Sequence, residues 1–325
     1  NANSVSNTYS WTQDDTGPTM TITSNTVSSG ASTTTAAIVL IYTSNEATSN
    51  FATGDITDSG CSDGSFTTTS TTVYGSTCTA SSDGTPTVSV AADTFTDATG
   101  NDNSVSNTYT WTYDTTGPTM TITSATVSSG ATTATAAVAL TFTSNEATSN
   151  FAQVDITETG CSLGTFGTTS STVYTDTCTV SADGAASVAV AASTFTDALA
   201  NANSVSNTYS WTQDDTGPTM TITSNTIASG GTTATAEVVL IYTSNEATNN
   251  FALVDITETG CTGDTFTTTS TTVYGSSCTI AADGAASVAV AASTFTDATG
   301  NANSVSNTYS WTQDDTGPTM TITSN

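Results

Sequence analysis

The groups with a claim to chemistry in this chain are its carboxylates. There are 28 Asp and Glu against no Lys, no Arg and no His, a formal charge of −28. No side-chain salt bridge can form. Each carboxylate must turn to water, to backbone N–H groups or to a bound cation. The missing His, Lys and Arg are also the usual general acid–base and electrophilic groups of catalysis. Paired carboxylates can hydrolyse glycosides. Here, though, the acids recur in loops along the chain, with no element to build a cleft between them, so an enzyme is not expected. Calcium is the chemistry that suits them, because Ca2+ takes six to eight oxygen ligands from carboxylates, amide carbonyls and backbone. Such a site requires elements that bring the acids together.

The first clue to those elements is repetition. Six cysteines fall at Cys61, Cys78, Cys161, Cys178, Cys261 and Cys278, one pair in each period of about 100 residues. A metal reading would want clustered Cys or His, and there is no His. One disulfide per repeat is expected, which points to an oxidising compartment. Closing such a loop stabilises by about 3 kcal/mol in the chain-entropy model. Residues 1–25, 201–225 and 301–325 carry one identical string. Either the chain is a window on a longer array, or its terminal pieces complete neighbouring subunits by strand donation.

The natural seams are Gly17-Pro18, Gly117-Pro118, Gly217-Pro218 and Gly317-Pro318, since proline fixes its own φ and cannot donate to a ladder. Cut there, residues 1–16 are the terminal strand of a preceding repeat. Residues 17–116, 117–216 and 217–316 are whole repeats, and 317–325 is the first strand of a following one. In the first whole repeat the pattern predicts strands over 19–24, 36–42, 51–57, 66–69, 72–79, 87–95 and 105–113. The second reads as apolar on both faces. Turn signals separate the strands and no segment keeps a 3.6-residue period, so the fold class is all-β, a sandwich.

The strings DTTGPTMTITS (from Asp114), TSNEATSNFA followed two residues on by DIT (from Thr143), and TFTDATGNANSVSNTYSWT (from Thr294) resemble bacterial Ig-like domains of large surface adhesins. The resemblance covers essentially the whole chain. It implies tandem Ig-like β-sandwiches of Greek-key topology arranged as an extended rod, often stiffened by calcium where domains meet. A Cys pair in every repeat and the lack of any basic residue set this chain apart from that family.

In such a sandwich the last strand leaves at one pole. The next domain begins at its opposite pole, beside its second-to-third-strand loop and the loop before its last strand. The first junction should therefore gather Asp14, Asp15, Glu46, Asp97, Asn101 and Asp102. The second should gather Asp114, Glu146, Asp197, Asn201 and Asn203, with Asp83 approaching from the preceding domain. The third should gather Asp214, Asp215, Glu246, Asp297, Asn301 and Asn303. The competing reading makes these solvated loop residues and Asx-turn formers.

Two other features allow two readings each. The pairs Tyr9/Trp11, Tyr109/Trp111, Tyr209/Trp211 and Tyr309/Trp311 suit a sugar platform or, on an alternating strand, core aromatics. The run Thr67, Thr68, Thr69, Ser70, Thr71 and Thr72 offers O-glycosylation sites or plain β-formers on a solvent face. No Asn lies in an Asn-x-Ser/Thr sequon.

The expected role is structural: an extracellular rod, stalk or filament core whose partners are neighbouring copies of the array and attached glycans. Each domain would add roughly 35–40 Å. Nucleic acid is excluded as a partner because nothing can displace phosphate counterions. Membrane insertion is excluded because no apolar run approaches the ~20 residues needed. The alternative is an adhesin segment that grips sugar or protein, which needs loops that differ between repeats. A Thr-row surface for ice or mineral would need longer ladders than these.

Overall fold

Burial alternates along the longer strands, and that alternation builds two facing sheets. The computed structural model describes residues 2–324. In the first repeat the strands are β1 (Met20–Ser24), β2 (Ser32–Thr33), β3 (Ala37–Ser44), β4 (Ile56–Ser59), β5 (Cys61–Asp63), β6 (Thr67–Thr68), β7 (Val73–Ala80), β8 (Thr87–Val90), β9 (Tyr109–Thr110) and β10 (Thr112–Tyr113). One sheet runs β1-β3-β7-β5, with β6 also on β7. The other runs β4-β8-β9, while β10 pairs in parallel with β2.

On β3, Ile38, Leu40 and Tyr42 point inward and Val39 lies 49% exposed. The expectation of burial on both faces is therefore corrected: this strand is two-faced, and its outer side meets solvent. Inward residues of both sheets join Phe51, Phe95, Tyr109 and Trp111 in one core. Phe51 is its hub, with ring centroids 5.0 Å from both Tyr74 and Phe95. Tyr109/Trp111, Tyr209/Trp211 and Tyr309/Trp311 are all buried. They are core aromatics, and no sugar platform stands at these three pairs. Tyr9 and Trp11 are exposed.

Several predicted boundaries move for local reasons. The strand expected over 51–57 is broken by a 3-10 turn, Thr53–Asp55, because the Asp55 carboxylate accepts the Ala52 N–H at 2.8 Å. The strand expected over 87–95 stops at Val90, ahead of Asp93, whose φ of 61° is left-handed. That over 105–113 begins at Tyr109, and β2 had no apolar signal to betray it. Residues 2–17 and 314–324 belong to no strand, so the end strands expected over 1–16 and 317–325 are not formed among the described residues. A strand needs a neighbour to receive its N–H and C=O groups.

The other repeats share the pattern with one instructive difference. In the second, Thr132–Thr133, Tyr209–Gln213, Gly184–Val190 and Ile156–Thr159 form one continuous sheet. There Ala186 faces Trp211. In the first repeat Pro86 stands in that place; the Trp111 N–H still reaches its carbonyl at 3.3 Å, but proline has no N–H to return. The sheet is split at that point.

Backbone contacts divide the chain into two compact units. One holds the chain up to Thr119 with Asn145–Phe151 and Ala192–Ser204; the other holds Met120–Ser144, Ala152–Ala191 and the chain from Val205 on. The first and second junctions lie within the first unit and the third within the second. Among the described residues no helix is long and apolar enough to cross a membrane.

Candidate functional site

The linker before each repeat is pressed into the loops it meets. A Cβ on Gly17 would fall 1.8 Å from the carbonyl oxygen of Asp102, and one on Gly117 would fall 1.9 Å from that of Ala202. Only glycine fits. Pro18 then accepts the Ser104 N–H at 3.0 Å, and Thr19 N–H donates to Asn45 Oδ1 at 2.6 Å. Asn145 and Asn245 repeat the latter bond with Thr119 and Thr219. The sequence reading passed over these three asparagines, although each stands beside a candidate glutamate.

Against this frame the loop before the last strand closes on a buried carboxylate. Asp97 Oδ1 accepts N–H bonds from Thr99 (2.8 Å), Gly100 (2.7 Å) and Asn101 (2.9 Å). Its Oδ2 accepts from the Thr99 hydroxyl and the Asn101 amide, both at 2.9 Å. Burial alone would raise its pKa, but the bonds from Asn101 and Thr99 outweigh that and bring it down to about 2. Asp297 is lowered too: burial opposes, and the donors of Thr299 and Asn301 win. Around Asp197 the second repeat has Leu199, which offers its N–H but no hydroxyl, and Ala200, held at a φ of 67° where the other repeats have glycine.

Three carboxylates then converge at each junction. Oxygens of Asp14, Glu46 and Asp97 lie within 4.8 Å of one another, as do those of Asp114, Glu146 and Asp197, and of Asp214, Glu246 and Asp297. The glutamates register the crowding. The pKa of Glu46 is raised by burial and then by Asp14 and Asp97. That of Glu146 is raised by burial and by Asp114, Asp197 and Asp83. That of Glu246 is raised by burial, Asp214 and Asp297. Asn101, Asn201 and Asn301 sit beside these triads. Each donates its amide to the linker carbonyl of Asp14 (3.1 Å), Asp114 (3.2 Å) or Asp214 (2.8 Å). At the second junction the acids line a cleft of about 210 Å³ together with Ser32, Ala147, Ala198 and Leu199.

Other expected ligands are placed elsewhere. Asn203 and Asn303 are buried and spent on their own loop, as is Asn103. Asn303 Oδ1 accepts the N–H groups of Thr294 and Phe295, and its amide donates to the carbonyls of Ala291 and Ser304. Asn203 accepts from Thr194 and Phe195 and donates to the Ser204 carbonyl. The assignment of these two as ligands is corrected accordingly. Asp102 is exposed, and its backbone rather than its carboxylate meets the linker. Asp15 is exposed. Asp83 holds the linker from the preceding side, accepting the Thr115 N–H and hydroxyl, both at 2.9 Å, and the Thr116 hydroxyl. These bonds, led by Thr116, lower its pKa. At the third junction Thr115 is replaced by Asp215. Its N–H still reaches Asp183, but its carboxyl must share a hydrogen bond with that carboxylate, which raises its pKa.

The donor set suits a hard divalent cation: oxygens only, three of them carboxylate, with no side-chain cation to balance them. Such an ion would sit among Asp114, Glu146 and Asp197 and their counterparts. It would supply the positive charge that the glutamates lack.

The cysteines pair as expected. Cys61–Cys78, Cys161–Cys178 and Cys261–Cys278 are disulfides with Cα separations of 5.5, 5.6 and 5.6 Å. The first joins neighbouring strands β5 and β7 of one sheet. In the Thr-rich run, Thr67, Thr68, Thr69, Ser70 and Thr71 are exposed, while Thr72 is half-buried. The Ser70 hydroxyl closes the hairpin by accepting the Thr72 and Val73 N–H groups.

Residues 114–212 match the family profile described as a bacterial Ig-like domain. Among solved structures the chain is similar to invasin, a bacterial integrin-binding protein, at 14% identity and a TM-score of 0.40, covering 91% of this chain and 60% of that one. It is similar to InvD of Yersinia pseudotuberculosis at 13% identity and a TM-score of 0.39, covering 92% and 98%. It is also similar to three Ig domains of titin at 6% identity and a TM-score of 0.34, covering 92% and 96%. The chain thus spans less than two thirds of the invasin structure it matches. No curated protein sequence matches it. The repeats on either side of the matched span carry its motifs at the same offsets, so the likeness of residues 114–212 to a bacterial Ig-like domain recurs with the period of the chain.

Proposed function

We propose that this array is an extracellular structural element, the rod or filament core of a surface fibre, in which calcium stiffens each junction and O-linked sugars coat the Thr-rich hairpins. The observation that carries this reading is the double hold on each linker. At the second junction Asp83 grips Thr115 and Thr116 from the preceding repeat, while Asn201 grips the carbonyl of Asp114 from the following one. A junction held from both sides suits a spacer better than a hinge. The triad of Asp114, Glu146 and Asp197 beside that linker supports calcium as the final tie. A disulfide in every repeat supports an oxidising, extracellular setting. Neighbouring copies of the array are the natural partners in a fibre. The lack of His, Lys and Arg favours this role over catalysis.

Small-angle scattering with calcium and then with a chelator tests the junctions. The maximum dimension should shorten on chelation; an unchanged profile refutes the calcium tie. Intact mass of the mature protein tests the sugars, since agreement with the sequence mass less the disulfide hydrogens excludes them.

A further inference from the structure

In a chain of 28 acids, the outer face of the sheet built on β1, β3 and β7 is all but uncharged. One row across it in the first repeat reads Thr23, Ile41, Gly75 and Thr67. The third repeat repeats that row as Thr223, Ile241, Gly275 and Thr267. The second varies it as Thr123, Thr141, Thr175 and Gly167. Among the described residues, the one acid at an outward position of these sheets is Glu237, the first residue of its strand. Val39 and Val239 stand out on the face, 49% and 52% exposed. A hollow of about 210 Å³ lies beside Val39, walled by Thr67 and Thr77 with Gly75 between them.

Charge decides what can meet this surface. Two copies of the chain repel wherever their acids approach, so they can touch only where acids are missing. The polar groups of the face are hydroxyls, which both donate and accept. Such a face can satisfy a copy of itself, as a two-fold pair requires. A carboxylate surface only accepts and cannot. Thr, Val and Ile are stiff at χ1, so packing them costs little rotamer entropy. The eight residues of β3 by four strands cover about 500 Å² at the usual rise and spacing. A stable pair needs about 800 Å² on each partner, so pairing must enlist more than one repeat.

We propose that this face is the surface by which two copies of the chain pair, sheet against sheet, kept apart at low salt by their acids and released to associate as salt rises. This rests on the reading of neighbouring copies as partners in a fibre, and it names the surface they use. A sugar on Thr67 would stand on the face, so at that residue pairing and O-glycosylation exclude each other. Ser70 and Thr71 lie in the turn beyond the paired residues of β6 and β7, where sugars would leave the rows open.

Sedimentation velocity of the whole chain in chelator tests it, from about 0.01 M to about 1 M salt, over which the Debye length falls from about 30 to about 3 Å. The wild-type mass should double across that range. Val39→Asp/Val239→Asp should stay monomeric throughout, with its melting temperature little changed because both valines already meet solvent. Val154→Asp/Val254→Asp adds the same two charges at exposed valines of the 3-10 turns Gln153–Asp155 and Leu253–Asp255, off this face, and should pair as wild type does. If the first variant does not fold, Thr23→Asp/Thr223→Asp places its charges on the same rows and should also stay monomeric. Equal loss of pairing in the variants on and off the face overturns the proposal, since net charge alone would then explain it. Pairing that survives charges on the face refutes this surface while keeping copies as neighbours. A wild type that stays monomeric at every salt refutes both, and leaves the stiffened junctions to the scattering test.

Discussion

Asp97, Asp197 and Asp297 are ringed by donors from backbone and amide groups, joined by a threonine hydroxyl at Asp97 and Asp297, and the chain has no Lys, Arg or His to join them. At Asp97 and Asp297 the donors favour the ionised form in the fold, and the Asp97 pKa falls from 3.8 to about 2. A carboxylate lowered by folding adds stability above its unfolded pKa and loses it as pH falls through the folded one. In chelator, Asp97→Asn should melt below wild type at neutral pH, and the gap should close between pH 4 and pH 2. A melting-temperature series against pH reads this directly. Glu146 has the opposite sign, because burial and neighbouring acids raise its pKa. Glu146→Gln should therefore raise the melting temperature in chelator and remove the second junction's share of any calcium-induced rise. If calcium raises wild type and variant equally, the triad is not its site.

Strand pairs show compensation between repeats. Thr67 faces Gly75 across β6 and β7, whereas the second repeat has Gly167 facing Thr175, and the third returns to Thr267 facing Gly275. Each repeat keeps one threonine over one glycine. A Cβ on Gly75 would stand 2.9 Å from the Thr67 hydroxyl, and one on Gly167 would stand 2.7 Å from that of Thr175. Gly75→Thr alone should cost about 1–3 kcal/mol, the usual scale of overpacking. Adding Thr67→Gly should restore most of that, since it recreates the second repeat's pair. A double-mutant cycle by denaturant unfolding gives the coupling. A second exchange lies inside the same sheet. Tyr42 bonds Ser76 at 3.0 Å, while Phe142 leaves that place to Asp176, which Gln153 satisfies at 2.7 Å. The repeats are alike in sequence yet solve individual contacts differently.

At the scale of the whole molecule, sandwich class and disulfide pairing were legible, because each rests on period or spacing. The triads were legible because topology alone returns Asp14, Glu46 and Asp97 to one pole. What stayed hidden depends on backbone direction at single residues. Asn101 and Asn103 are the same residue type two positions apart. Asn103 turns inward to knot its loop, while Asn101 faces the linker. Composition carries no trace of that choice. Likewise β2 consists of two residues whose only signal is the strand it will meet. Net repulsion acts on the entire chain, so in chelator raising ionic strength should raise the melting temperature steadily. A fall with salt would mean that some attraction between charges holds the fold.

That expectation extends to brine. Debye screening contracts from about 10 Å at 0.1 M salt to about 3 Å at 1 M. In most proteins such brine weakens attraction and repulsion alike. The carboxylates of this chain are held by hydroxyls, amides and backbone, with no side-chain cation anywhere, so brine can quench only their quarrel with one another. A fold held this way should keep its melting temperature in brine, where ordinary ion-paired surfaces lose their grip.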